Sequence, residues 1–224
     1  MCGRFALHSS IQAIIKRSKM IRELEELEKN YNVTPSQFTP VIIKAKQGND
    51  LKMLRWGLIP FWAKDETIGA KLMNARAETI TEKPSFKAAF SKRRCLIPAN
   101  GFYEWRKSDK QPFFIRQKDS ELTYFGGIYE SWKKSDDETI FSFSIITTEA
   151  NAKMSSIHHR MPVIIRQSED EIWLNSLDKN ELNTLLKALN DEEIEFYPVS
   201  KLVNNPKHND VKLLENIENV NLGF

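Results

Sequence analysis

Apolar residues recur at helical spacing in two parts of the 224-residue chain. Over residues 11–30, Ile11, Ile14, Ile15, Leu24 and Leu27 stand in a polar and charged background, which predicts an amphipathic helix. Two prolines within residues 31–40 break it. Over residues 178–190, Leu182, Leu185, Leu186 and Leu189 follow the i, i+3, i+4, i+7 pattern, and Asp178 with Glu181 resembles a capping box. Elsewhere the pattern is that of strands. Residues 41–46 and 51–58 flank a Gln47-Gly48-Asn49-Asp50 turn. Residues 113–117, 122–130 and 140–147 are β-branched and aromatic runs separated by polar turns, which predicts an antiparallel meander. Residues 163–166 and 195–198 add two short strands. No repeat or Gly/Ser/Pro-rich linker divides the chain. The expectation is one α+β domain over residues 1–224, its mostly antiparallel sheet curled towards a barrel and flanked by helices.

Composition narrows the class. A hydrophobic share of 41% with thirteen Phe and five Trp can fill a sizeable core, and 28% charged residues are ordinary for a globular protein. The two cysteines, Cys2 and Cys95, form no CxxC pair, which argues against a disulfide framework or a structural zinc site and for a reducing compartment. No apolar run approaches the ~20 residues that span a bilayer, and the first residues lack a signal-peptide core. A cytoplasmic monomer is expected, nucleoid-associated in a bacterium or nuclear in a eukaryote. The net charge of +3 announces no polyanion, but its distribution is uneven. Residues 71–94 hold seven basic residues against Glu78 and Glu82, whereas residues 167–196 hold nine acidic against two basic. A positive groove for phosphates and an ordinary solvated surface both fit this pattern.

Cys2 carries the most distinctive chemistry. A small residue at position 2 allows removal of Met1, which leaves a free α-amine beside a thiol. The amine titrates near ~8 and the thiol near ~8.5, so both have reactive fractions at cellular pH. The amine can condense with an aldehyde and the thiol can then close a thiazolidine; alternatively Cys2 can attack an acyl carbon. Glu104, between Tyr103 and Trp105, reads as a general acid/base or as a solvent-facing strand residue. His158-His159 is the one adjacent His pair and offers a proton shuttle; its neighbours point apart, so no metal site is expected. Arg4, Arg76 and Arg160 suit phosphate contacts or surface ion pairs. In the aromatic segment at 56–62, core packing is the default, with stacking on a base as the alternative. Cys95 reads as an inert buried thiol.

Taken in order, MCGRF at 1–5, YNVTP at 31–35, RWGLIPFW at 55–62, MNARAET at 73–79, RRCLIPANGFYEW at 93–105, SSIHHRMPVII at 155–165 and PVSKLVNN at 198–205 resemble the SRAP (SOS response-associated peptidase) family. The resemblance spans nearly the whole chain. It implies a protein that senses abasic sites in single-stranded DNA, including those at junctions with duplex, and binds them covalently without a cofactor. It matches Cys2 to the nucleophile, Asn74 to the residue that positions the amine, Glu104 to the acid/base and His158 to the catalytic histidine. Arg4, Arg76 and Arg160 match phosphate-binding positions, and Trp62 is a candidate wedge or stacking residue. His159 stands where the family pattern has Asp. The family name also implies self-cleavage before the Cys, although only Met1 precedes it here. A Cys–His peptidase and a non-covalent single-strand-binding module are the other two readings of the same residues.

Overall fold

The structure, a computed structural model, describes residues 2–18 and 27–220. Among the described residues, twelve strands form two sheets. They are β1 (Phe5–Leu7), β2 (Asn30–Val33), β3 (Phe38–Lys44), β4 (Asn49–Trp56), β5 (Asn74–Arg76) and β6 (Arg94–Ala99), then β7 (Gly101–Trp105), β8 (Pro112–Gln117), β9 (Thr123–Lys133), β10 (Thr139–Glu149), β11 (Arg160–Pro162) and β12 (Ile194–Pro198). In one sheet, β10, β4, β3, β6 and β9 pair in sequence and β9 pairs back to β10, which closes a five-stranded barrel. Closure removes the exposed edges that an open sheet would carry. Only the β4–β10 pairing within this ring is parallel. The second sheet runs β12-β8-β7-β1-β2 and is antiparallel throughout.

The α+β expectation and its barrel-like sheet are observed, but the meander is not. β9 and β10 form a hairpin in the barrel, whereas β8 pairs β7 and β12 in the other sheet. The chain changes sheet at Asn100, between β6 and β7. Asn100 is buried; its Oδ1 accepts from the backbone N–H of His8 and Ser9 at 2.7 and 3.1 Å, and its amide donates to Ser9 Oγ at 2.7 Å. These bonds satisfy the backbone where the ladder is interrupted.

The helices are α1 (Ile11–Ser18), α2 (Lys87–Lys92), α3 (Ala152–Ser155), α4 (Asp170–Asn175), α5 (Lys179–Leu185) and α6 (Ile217–Val220). The expected helix over 11–30 is present to Ser18; residues 19–26 lie outside the described residues, and Asn30 already begins β2. Asn30–Val33 is recruited as an edge strand beside β1, so pairing overrides the helical spacing. The helix expected over 178–190 stops at Leu185. Asp178 caps it by accepting from Asn180 N–H, while Glu181 accepts from Ser176 Oγ, so there is no reciprocal capping box. The strand expected at 163–166 is shifted to Arg160–Pro162, with one further bridge between Ile164 and Phe125.

The core fills the barrel and the space between the sheets. Phe5 packs on Trp56 at 5.1 Å and edge-on against Phe125 at 6.0 Å, and Phe102 meets the same Phe125 at 6.0 Å. Trp56 in turn stacks on Phe143. The aromatic of MCGRF therefore anchors β1 on the barrel and fixes where the residues before it must lie. Gly57 follows Trp56 with φ of +115°, and a Cβ there would lie 2.7 Å from the Gly69 carbonyl oxygen. The close approach of residues 57 and 69, which only glycine permits, brings the chain into position for β5.

Candidate functional site

Four segments remote in sequence meet where β1, β5, β7 and the turn before β11 come together. Cys2 precedes β1 and is fully buried, at 0% exposure. Asn74 opens β5, which pairs parallel to β10 with Asn74 opposite Ile145. Its amide donates to the Cys2 carbonyl at 2.7 Å, while the buried Oδ1 has no hydrogen-bond partner among the described residues. Ala75 is buried and Arg76 exposed, so by strand alternation Arg76 shares the face of Asn74.

Glu104 lies on β7, with 4% exposure. Alternation explains the direction: Phe102 and Glu104 share the face that looks towards the barrel, whereas Tyr103 and Trp105 pack with a separate cluster. The solvent-facing alternative for Glu104 is therefore excluded. Burial pushes its carboxyl above the usual carboxylate range. Glu104 Oε1 stands 3.8 Å from His158 Nδ1. His158 follows α3, whose N-cap Asn151 accepts from Met154 N–H at 2.8 Å, and its own N–H donates to the Met154 carbonyl at 3.0 Å. His158 Nδ1 lies 3.0 Å from the Arg160 backbone N–H and 3.2 Å from the Arg160 carbonyl, so it accepts from the first or donates to the second according to the ring's tautomer. Burial holds the His158 pKa below the ordinary histidine value. The His159 ring lies 4.4 Å from it, exposed, with its own pKa lowered first by His158. The Cys2 thiol is pushed up, first by burial and then by the Glu104 charge.

The arginines separate into different environments. Arg76 is exposed. Arg4 gives Nη1 to Asn32 Oδ1 at 2.7 Å and to the Val203 carbonyl at 2.6 Å, and its guanidinium lies 5.9 Å from the Trp105 ring centroid. Arg160 is 6% exposed and forms a fork on Glu78 at 2.7 and 3.0 Å, with a third bond to the Thr147 carbonyl at 2.6 Å. Trp62 is 48% exposed and Phe61 62%, although Leu58 and Ile59 beside them are buried. Cys95 is buried inside the barrel. A groove of about 480 Å³ lined by Leu7, Ile11, Phe38 and Met53 contains none of the four converging residues.

Two residues of the site's frame were not singled out from sequence. Glu78 sits within MNARAET but counted only as an acid among basic neighbours. Asn32 within YNVTP is 1% exposed; it accepts from Arg4 and donates to the Asn205 and His208 carbonyls at 3.1 and 2.8 Å. A buried Asn with every polar atom used is a structural anchor, and single-sequence spacing has no mark for one.

A buried thiol, a carboxyl raised by burial and an imidazole whose pKa burial lowers thus meet at the junction of a closed barrel and a second sheet. The chain belongs to the SOS response associated peptidase (SRAP) family, whose model matches residues 1–206. It is similar to the "Abasic site processing protein YoqW" of Bacillus subtilis (strain 168), with 46% identity covering 96% of this chain and 99% of the relative. It is also similar to the "Abasic site processing protein HMCES" of Rattus norvegicus, with 31% identity covering 96% of this chain and 75% of the relative. A crystal structure of a protein from Bacteroides thetaiotaomicron matches with a TM-score of 0.87 and 33% identity, covering 96% of this chain and 99% of that one.

Proposed function

We propose that this protein processes abasic sites in single-stranded DNA by linking the deoxyribose covalently to Cys2 after Met1 is removed. The observation that carries the reading is the convergence of Cys2, Asn74, Glu104 and His158 from four separate segments. The names of the relatives supply the substrate class.

In this mechanism the closed sugar must first open to its C1′ aldehyde. Glu104, protonated more readily than an ordinary carboxyl, gives a proton at the ring oxygen. His158, neutral near pH 7, takes the proton from the C1′ hydroxyl. The Cys2 α-amine attacks C1′, and loss of water leaves an iminium. Asn74 holds the Cys2 carbonyl, and its vacant Oδ1 is free to accept from the amine once Met1 has gone. The thiol, held protonated by burial and by Glu104, loses its proton to a neighbouring base as sulfur bonds to C1′. The iminium nitrogen ends as a neutral secondary amine, so aldehyde, amine and thiol give thiazolidine and water. The ring removes the iminium and aldehyde that promote β-elimination of the strand. Arg76 is an exposed cation beside the site for a flanking phosphate, and Trp62 is one of the exposed aromatics for a base.

A thiol peptidase draws less support. An activated Cys–His dyad needs a thiol lowered by its surroundings, and here burial and a carboxylate act the other way. The test is a denaturing gel of the protein mixed with single-stranded DNA that carries one abasic site. A heat-stable shifted band, lost in Cys2→Ala and absent from a permanently N-terminally tagged form, is expected. No band from protein shown by mass spectrometry to lack Met1 overturns the proposal. Equal crosslinking by the tagged form overturns the thiazolidine, because a peptide-bonded Cys2 has no free amine.

A further inference from the structure

We propose that Glu78 is a positioning residue for His158, acting through Arg160; this rests on the crosslinking reaction proposed above. Arg160 contributes to the site twice. Its backbone N–H and carbonyl both meet His158 Nδ1, at 3.0 and 3.2 Å, and its side chain is bound by Glu78 and Thr147. The Arg160 side chain is 7% exposed, whereas that of Glu78 is 42% exposed. A cation so buried requires a carboxylate and further acceptors to offset its desolvation, and Glu78 supplies the carboxylate. The bond also holds the Glu78 carboxyl below the usual range, so the pair is ionised at neutral pH.

The topology gives this ion pair its reach. Thr147 of β10 pairs with Arg76 of β5 and with Pro162 of β11. The two short strands therefore flank β10 on opposite sides. Glu78 lies in the 3₁₀ turn Ala77–Thr79 directly after β5, and Arg160 begins β11. Their side chains bridge across β10 and tie the segment that carries Asn74 to the segment that carries His158. Both ends of the clamp are within four residues of a catalytic side chain. Without Glu78, Arg160 is a buried cation without its carboxylate, which turns outward to water and takes with it the backbone groups that hold the His158 ring.

The substitution Glu78→Gln tests this, with circular dichroism to establish that the variant is folded. The crosslinking rate at saturating abasic single-stranded DNA is expected to fall roughly 10- to 100-fold, the scale of a small misplacement of a reacting group. Affinity for an undamaged strand of the same length is expected to stay the same. Glu78→Asp, which keeps the carboxylate, is expected to restore part of the rate. Imidazole ¹⁵N resonances are expected to report one dominant tautomer of His158 in the unmodified protein and a changed tautomer population in Glu78→Gln. Wild-type crosslinking with tighter DNA binding in Glu78→Gln would mean that Glu78 only competes with phosphate for Arg160, and would overturn the proposal. An unchanged His158 tautomer would do the same. If the unmodified protein forms no crosslink, the reaction fails, and the ¹⁵N comparison still decides whether Glu78 positions His158.

Discussion

Glu104 is the residue where stability and the proposed chemistry pull in opposite directions. Its burial raises the folded-state pKa above that of the unfolded chain, so the folded state holds its proton to higher pH. Between the two values the native protein binds more protons than the unfolded one, and stability falls as pH rises through that window. The deficit is complete above the folded value and vanishes below the unfolded value near ~4.3. Glu104→Gln should therefore melt at a higher temperature than the unmodified protein at pH 7, with the difference closing in acid; calorimetry at several pH values measures this. The same variant should slow crosslinking while leaving strand binding intact, as gel-shift and single-turnover assays can separate. A stability gain joined to an activity loss is the signature of a functional buried acid. The sequence raised this reading only as one of two, because alternation along Gly101–Trp105 becomes an inside and an outside only when both sheets are in place.

Among the elements, α2 and α4 end against the same buried side chain. Arg94, at the start of β6 and 4% exposed, donates to the carbonyls of Phe90 at 2.7 Å and Ser91 at 3.1 Å, and to those of Trp173 and Ser176. Carbonyls at a helix C-terminus have no partner within the helix, and one guanidinium satisfies both ends. Arg94→Ala should cost about 2–3 kcal/mol by leaving several buried acceptors unpaired, measured by urea denaturation. Crosslinking per folded molecule should not change, since Arg94 touches none of the four site residues. In the sequence Arg94 counted towards a basic surface, as did Arg93, which is paired with Glu130 at 2.6 Å. Of the seven cations in that stretch, Lys71, Arg76, Lys83, Lys87 and Lys92 are exposed. A charge count cannot tell a cation that faces phosphates from one that caps a helix. The strands show the same division. The hairpin of β3 and β4 was legible from its polar turn, because its pairing is local. The sheet change at Asn100 and the separation of β8 from β9 were not, because those pairings depend on residues far away.

At the scale of the molecule, the closed barrel is the frame and the second sheet brings the N-terminus to it. β1 is held between β2 and β7, and Arg4 and Asn32 tie it to the carbonyls near Val203. Strand capture through exposed cations such as Arg76, as proposed above, should weaken with salt, as counterion release requires. Crosslinking at limiting protein should fall as salt rises from low to physiological concentration, whereas the rate at saturating protein should not; a salt titration under both regimes checks it. The motifs MCGRF, NARAET, GFYEW and IHHRMP by themselves determined the family and the residue types available for chemistry, because reactive groups and short local patterns are written directly in the chain. Only the tertiary structure decided which of them meet. It turned Glu104 inward beside His158, committed Arg160 to Glu78 and left Arg76 in solvent. Direction, burial and partner are properties of long-range packing, and the spacing of residues along one chain does not contain them.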